Sequence, residues 1–193
     1  MTEFEQTKLL AEKGNAEAQF NLGDMYYYGL GVEKDDAESL RWFTKAAEQG
    51  YPQAQYNLGA MYYEGLGVKQ DDAVAVRWWT KAAEQGHADA QKNLGYMYCW
   101  GAVVEQDYTE SLRWYTKAAE QGNAEAQYRL GWMYYYGRGV EENNTEALRW
   151  FTKAAEQGHA IAQYKLKIMP KPCAGTPKPP SKVMLMRKNG STN

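Results

Sequence analysis

Apolar residues recur along most of this chain at intervals of three and four, which is the period of a helix with one buried face. In the first well-formed stretch Ala18, Leu22, Met25 and Tyr26 fall at i, i+4, i+7 and i+8, and Gly29 ends the run. A second stretch opens after Asp35 and closes at "AAEQG", with Gly50 just past the last helical residue, where glycine commonly sits. The pattern predicts an antiparallel helix pair.

The pair is then copied. "RWFTKAAEQG" from Arg41, "RWWTKAAEQG" from Arg77, "RWYTKAAEQG" from Arg113 and "RWFTKAAEQG" from Arg149 stand 36 residues apart each time. A fixed period of this length predicts a helical solenoid, whose units bury their apolar faces only by stacking on neighbours. Full units cover residues 15–50, 51–86, 87–122 and 123–158. Residues 1–14 are predicted to form an N-terminal capping helix and 159–169 a partial fifth unit, so the solenoid spans 15–169 with about ten helices in all. First helices should start after Asn15, Tyr51, His87 and Asn123, with Pro52 at a position helices tolerate. Second helices should start after Asp35, Asp71, Asp107 and Asn143; Glu38, Glu110 and Glu146 in the third helical position suggest capping boxes.

"AEAQFNLGDMYYYGLGVEKDDAESLRWFTKAAEQG" resembles the Sel-1-like repeat (SLR), a relative of the tetratricopeptide repeat, over about residues 3–169. The resemblance implies an all-α, right-handed superhelical solenoid of antiparallel helix pairs with a concave face that binds other proteins, and no catalysis. Val103 departs from the pattern, standing where Gly31, Gly67 and Gly139 stand in the other units. A left-handed backbone at a non-glycine residue costs about 1–2 kcal/mol, so the third loop is expected to be reshaped. Ser39 and Ser111 occupy an alanine slot.

Composition narrows the function. Residues 1–169 hold 17 basic and 24 acidic side chains, a net of −7, whereas 170–193 hold five basic residues and no acid. An acidic body without a basic stripe is poorly suited to nucleic acid, whose binding rests largely on neutralising phosphates. The chain shows neither the apolar core of a signal peptide near Met1 nor an apolar run of about 18 residues, so it reads as cytoplasmic with no membrane partner. The proline-rich, basic tail 170–193 is expected to be disordered.

Candidate chemistry is mostly explained by the scaffold. The "DD" pairs at Asp35/Asp36 and Asp71/Asp72 share their slot with Asn143, which caps a helix well and is a poor general base. Helices, not strands, precede the "GLG" turns, which speaks against a phosphate loop. His87 and His159 lie two units apart and cannot share a metal; Cys99 has no histidine in a matching position and reads as a small, partly buried thiol. No metal, cofactor or catalytic residue is called for. Trp42, Trp78, Trp114 and Trp150, with Phe43, Trp79, Tyr115 and Phe151, recur in every unit and are assigned to packing.

Variable positions carry the functional expectation. Unit positions 3, 7, 10 and 14 of the first helix share one stripe at about 100° per residue. The stripe is mostly polar in units one and two, with Glu17, Asn21, Asp24, Gln53, Asn57, Ala60 and Glu64, and Tyr28 the exception. In units three and four it becomes Asp89, Asn93, Tyr96, Trp100, Glu125, Arg129, Trp132 and Tyr136, and the partial unit adds Ile161, Lys165 and Ile168. Aromatic residues and arginine dominate binding hot spots. Tyr28, Tyr96, Trp100, Arg129, Trp132 and Tyr136 are therefore the candidate contacts for a protein or peptide in the groove. A rival explanation is that "VMLM" of the tail, Val183 to Met186, covers the patch. The leading function is a non-enzymatic interaction scaffold; a cytoplasmic immunity protein or inhibitor of a cognate toxin is the first alternative, and a hydrolase of the kind claimed for some SLR proteins the second.

Units that depend on neighbours should tolerate removal as whole units. Deleting residues 51–86 should leave a shorter, cooperatively unfolding solenoid, whereas deleting 18 residues should not; equal helicity and cooperativity in the two deletions would contradict the repeat.

Overall fold

A computed structural model describes residues 1–169, and the expectations for the tail, disorder of 170–193 and cover of the patch by Val183 to Met186, lie outside them. Ten helices and no strand are present among the described residues: α1 (Glu3–Glu12), α2 (Ala16–Tyr28), α3 (Asp36–Glu48), α4 (Pro52–Glu64), α5 (Asp72–Glu84), α6 (Ala88–Trp100), α7 (Tyr108–Glu120), α8 (Ala124–Tyr136), α9 (Asn144–Glu156) and α10 (Ala160–Ile168). Each helix packs on the ones before and after it, more extensively within a unit than between units, and first helix α6 also touches first helix α8. The architecture is an all-α solenoid. No helix among the described residues is long and apolar enough to cross a membrane.

Caps set the boundaries. Asn15, His87 and Asn123 accept the N–H of the third helical residue, but Tyr51 makes no side-chain cap and leaves Pro52 to start α4. Asp35, Asp107 and Asn143 each accept two N–H groups, and Asp71 accepts one. The expected capping boxes of α3, α7 and α9 do not close. Glu38, Glu110 and Glu146 instead pair with Arg41, Arg113 and Arg149 one turn on, since a charged guanidinium competes better for the carboxylate than the cap's own N–H. The box that does form is Thr2 with Glu5, at the start of α1.

Inside each unit the second helix lays an aromatic ring on the backbone of the first. Phe43, Trp79, Tyr115 and Phe151 are buried against Gly23, Gly59, Gly95 and Gly131, where an added Cβ would come within 2.6–2.8 Å of ring atoms. Trp42, Trp114 and Trp150 are buried as well. Trp78 is only half buried, packed on the cluster of Phe43, Leu58 and Met61.

Between units the link is polar. Gln19, Gln55, Gln91 and Gln127 are buried, and each gives its amide N–H to a carbonyl at the end of the preceding helix: Ala11, Ala47, Ala83 and Ala119. Their Oε1 atoms in turn accept from Gln49, Gln85, Gln121 and Gln157 at 2.6–2.8 Å. One side chain thus ties three successive helices.

Loops also seat units on each other. Gly67 and Gly139 take positive φ and lie against the carbonyls of Asp36 and Tyr108, in the first turn of the preceding second helix. Val103 takes no such φ. The third loop is reshaped: Val103 and Val104 pack onto the cluster of Trp79, Leu94 and Trp114, and the Gln106 amide donates to the Cys99 carbonyl at 2.8 Å.

In an open helix, glycine to alanine stabilises by about 0.5–1 kcal/mol. Gly59→Ala should instead destabilise by about 1–3 kcal/mol in a denaturant titration, because its methyl would sit 2.6 Å from the Trp79 indole and 3.1 Å from the Ala75 carbonyl.

Candidate functional site

The variable stripe lies on α2, α4, α6 and α8, and the clefts between successive first helices bring its residues together. Tyr28, Asn57, Ala60 and Glu64 line a cleft of about 100 Å³ between α2 and α4. Ala60, Glu64, Asn93 and Tyr96 line the next, about 210 Å³, with Tyr56, Tyr63 and Trp79 around them. Asn93, Tyr96, Glu125 and Arg129 line a third of about 90 Å³ between α6 and α8. Positions 7 and 10 of neighbouring units thus form the walls of one continuous row.

Exposure separates the candidate contacts into two groups. Tyr28 is 66% exposed, Trp100 53%, Tyr136 48% and Tyr96 43%. Trp132 and Arg129 are only half buried: Trp132 packs against both the Tyr115/Leu130 and the Tyr128/Phe151 clusters, so it serves the core as well as the surface. Tyr96 and Trp100 meet at 6.2 Å between ring centroids, and Trp132 and Tyr136 at 5.0 Å. Edge contacts hold Tyr27 to Tyr28 and Tyr135 to Tyr136, each at 4.8 Å. Lys165 stands over Tyr135 and Tyr136 at 5.8 and 5.9 Å. Ile161 and Ile168 are exposed on α10, beside an equally exposed Tyr164.

Sequence reasoning missed Tyr63, which is 39% exposed next to this row, because its unit slot, filled elsewhere by Tyr27, Cys99 and Tyr135, lies outside the stripe positions. It also missed the histidine stacks. His87 lies flat on Tyr56 at 4.5 Å and His159 on Tyr128 at 4.8 Å, while each Nδ1 accepts a helix N–H as expected of a cap. An aromatic six places into a unit, followed by histidine opening the next but one helix, was the available signal.

Electrostatics in the row are local. Burial lifts the Asp24 carboxyl from 3.8 to about 6, and Asn57 offers it only a long amide contact at 3.4 Å. Burial lowers His87 and pushes the Cys99 thiol up, so that Cys99, buried rather than partly buried, stays protonated. Glu125 moves the other way: burial would raise it, but a hydrogen bond from His159 and the charge of Arg129 outweigh that and hold it below the usual carboxylate range. The row offers aromatic surface and hydrogen-bonding groups.

A family model described as "Sel1 repeat" matches residues 16–51, 52–87, 88–123 and 124–159. Among solved structures, c5321, a protective antigen of uropathogenic Escherichia coli strains displaying an SLR fold, is 45% identical with a TM-score of 0.82, over 84% of this chain and 35% of that one. A Sel1 repeat protein from Oxalobacter formigenes is 41% identical with a TM-score of 0.80, over 85% of this chain and 47% of that one. Immunity protein Pa5087 from Pseudomonas aeruginosa is 32% identical with a TM-score of 0.53, over 82% and 59%. The chain spans less than half the length of the first two and about 7% of the curated relatives it matches.

Asp24 supplies a pH test. Its folded pKa lies above its unfolded value, so the native state binds the extra proton between about pH 4 and 6 and stability falls as pH rises through that window. Asp24→Asn should therefore stabilise the protein at pH 7.5 by on the order of 1 kcal/mol, the partial solvent access of the carboxyl limiting the gain. At pH 3.5 the difference should vanish; chemical denaturation at the two pH values measures it.

Proposed function

The chain belongs to the Sel1 repeat family, and from that membership and its aromatic row we propose that it is a non-enzymatic, cytoplasmic scaffold that holds a protein or peptide partner against its concave first-helix face. The observation that carries this reading is the exposure of Tyr96, Trp100 and Tyr136 on consecutive first helices. Large aromatic side chains left in solvent at regular intervals lose free energy unless something covers them, and they are the residues that anchor interfaces. Tyr28 extends the row toward the N-terminus, while the half-buried Trp132 and Arg129 shape its floor. Polar units one and two contribute register, through Asn57 and Glu64 in their clefts.

A second reading draws on the likeness to immunity protein Pa5087. In that reading the partner is a toxin and the chain its inhibitor. Co-expression with the product of a neighbouring toxin gene, scored by rescue of growth, separates it from a general scaffold.

A pull-down from the source cell with wild type beside Trp100→Ala/Tyr136→Ala identifies partners that need the row. Against such a partner, Trp100→Ala should weaken binding by about 2 kcal/mol, roughly thirtyfold, with the melting temperature nearly unchanged. Trp114→Ala should do the reverse, removing about 3–5 kcal/mol of stability. Equal thermal damage from the two substitutions would take Trp100 out of the surface and sink the reading.

A further inference from the structure

One cleft of the row differs in chemistry from the others. Unit position 6 is Phe20, Tyr56 or Tyr128 elsewhere but Lys92 in unit three, and position 7 is Asn21, Asn57 or Asn93 elsewhere but Arg129 in unit four. Both cations line the cavity of about 90 Å³ between α6 and α8, together with Asn93, Tyr96 and Glu125. Tyr115, 1% exposed, lines it as well, and its buried hydroxyl has no hydrogen-bond partner. The corresponding residues Phe43 and Phe151 carry no hydroxyl, so this orphan is a property of unit three and not of the scaffold. Leaving a buried hydroxyl unpaired costs about 1–3 kcal/mol, a penalty the ring alone would avoid.

The remaining capacity of the cavity is for an acceptor. Glu125, the acid in its wall, is already engaged at both oxygens: Oε1 accepts from Arg129 Nε at 2.6 Å, and Oε2 meets His159 Nε2 at 2.8 Å. Because His159 Nδ1 accepts the Ala162 N–H, Nε2 is the nitrogen that donates to Glu125. Arg129 thus spends its Nε on Glu125 and keeps the outer edge of its guanidinium. Lys92 is held loosely, 3.4 Å from Asp89, and Asp89 also accepts from Asn123 at 3.0 Å. Burial drives the Tyr115 hydroxyl strongly upward, so it is a donor at every physiological pH. Lys92, Tyr115 and Arg129, from three helices, line a space the size of a small acid group, and arginine with a neutral hydroxyl suits a planar, two-oxygen acceptor.

We propose that the α6/α8 cavity is a carboxylate-binding subsite in which Tyr115, Arg129 and Lys92 receive an acidic side chain or a chain-terminal carboxylate of the partner. It rests on the reading of the first-helix face as a partner surface, and it places one anchoring acid of that partner beside Tyr96 and Trp100.

The test needs no knowledge of the partner. Full-length protein is titrated by NMR with N-acetylglutamate methylamide, which offers only a side-chain carboxylate, and with N-acetylalanine, which offers only a terminal one. N-acetylglutamine methylamide is the neutral control and inorganic phosphate the rival anion. Saturable shifts at the amides of residues 92–96 and 125–129 are expected with one or both carboxylates, and which one responds identifies the source. Tyr115→Phe, which copies units one and four, should weaken the response about tenfold, and Arg129→Asn, which copies units one to three, should abolish it, with melting curves confirming that both variants fold. Equal response to the neutral control, preference for phosphate, insensitivity to Tyr115→Phe, or no saturation by either carboxylate overturns the subsite. Failure of the scaffold reading is distinguishable, because it shows as partner binding that ignores Trp100→Ala whatever the probes do.

Discussion

A buried glutamine at the fifth position of each full unit is the constraint on which the solenoid depends. Its amide satisfies a carbonyl that would otherwise be stranded at the end of the preceding helix, and its oxygen receives the glutamine that closes its own unit. A single bond of this type contributes only about 1 kcal/mol net, but an orphaned carbonyl in the same place costs more than that. The relay therefore acts chiefly as a selector of geometry. Helices stacked at another angle or one residue out of register would leave polar atoms unpaired at every junction, whereas apolar contacts alone would tolerate some slippage. With the angle set, the glycine notches under Phe43, Trp79, Tyr115 and Phe151 can be close enough to admit a ring and nothing larger.

Because the relay, the notches and the caps repeat, they leave the stripe positions of the first helix free to vary. The variation is not spread evenly. Apart from Tyr28, units one and two present asparagine, glutamate and a carboxyl whose proton affinity burial raises, while units three and four present tyrosine, tryptophan and paired charges. One end of the row therefore suits contacts that keep polar groups hydrogen-bonded, since their desolvation is costly, and the other can bury apolar surface. A surface built this way changes its chemistry by substitution at a few positions without touching what holds it in shape.

The fold was legible because its signals were redundant: four copies at one spacing outweigh any ambiguity in a single helix. Helix ends were legible for the same reason, down to Asn143 replacing aspartate as a cap. Reading failed where a side chain had two local choices. Glu38 could reach back to its cap or forward to Arg41, and only the placed rotamers show the second. Trp132 sits in the stripe by angle, yet half of its ring is taken by the clusters on either side, a fact of stacking that no single helix contains. The glutamine relay was present in the letters of every unit and passed unnoticed, since an invariant polar residue inside an apolar pattern has meaning only once its partner 30 residues away is known. Tyr115 shows the same limit: phenylalanine and tyrosine are interchangeable in the pattern, and only burial distinguishes the hydroxyl.

The reshaped third loop has a mechanical consequence. Where Gly67 and Gly139 abut the backbone of the preceding unit, the contact is hard and fixes an angle. Where Val103 and Val104 rest on an apolar cluster, the contact is directionless and leaves the angle at this junction to the Gln91 relay. The joints before and after it are pinned twice, by loop and by relay; this one is pinned once. The single pin lies where the polar half meets the aromatic half, so the spacing of the two halves hangs on one glutamine.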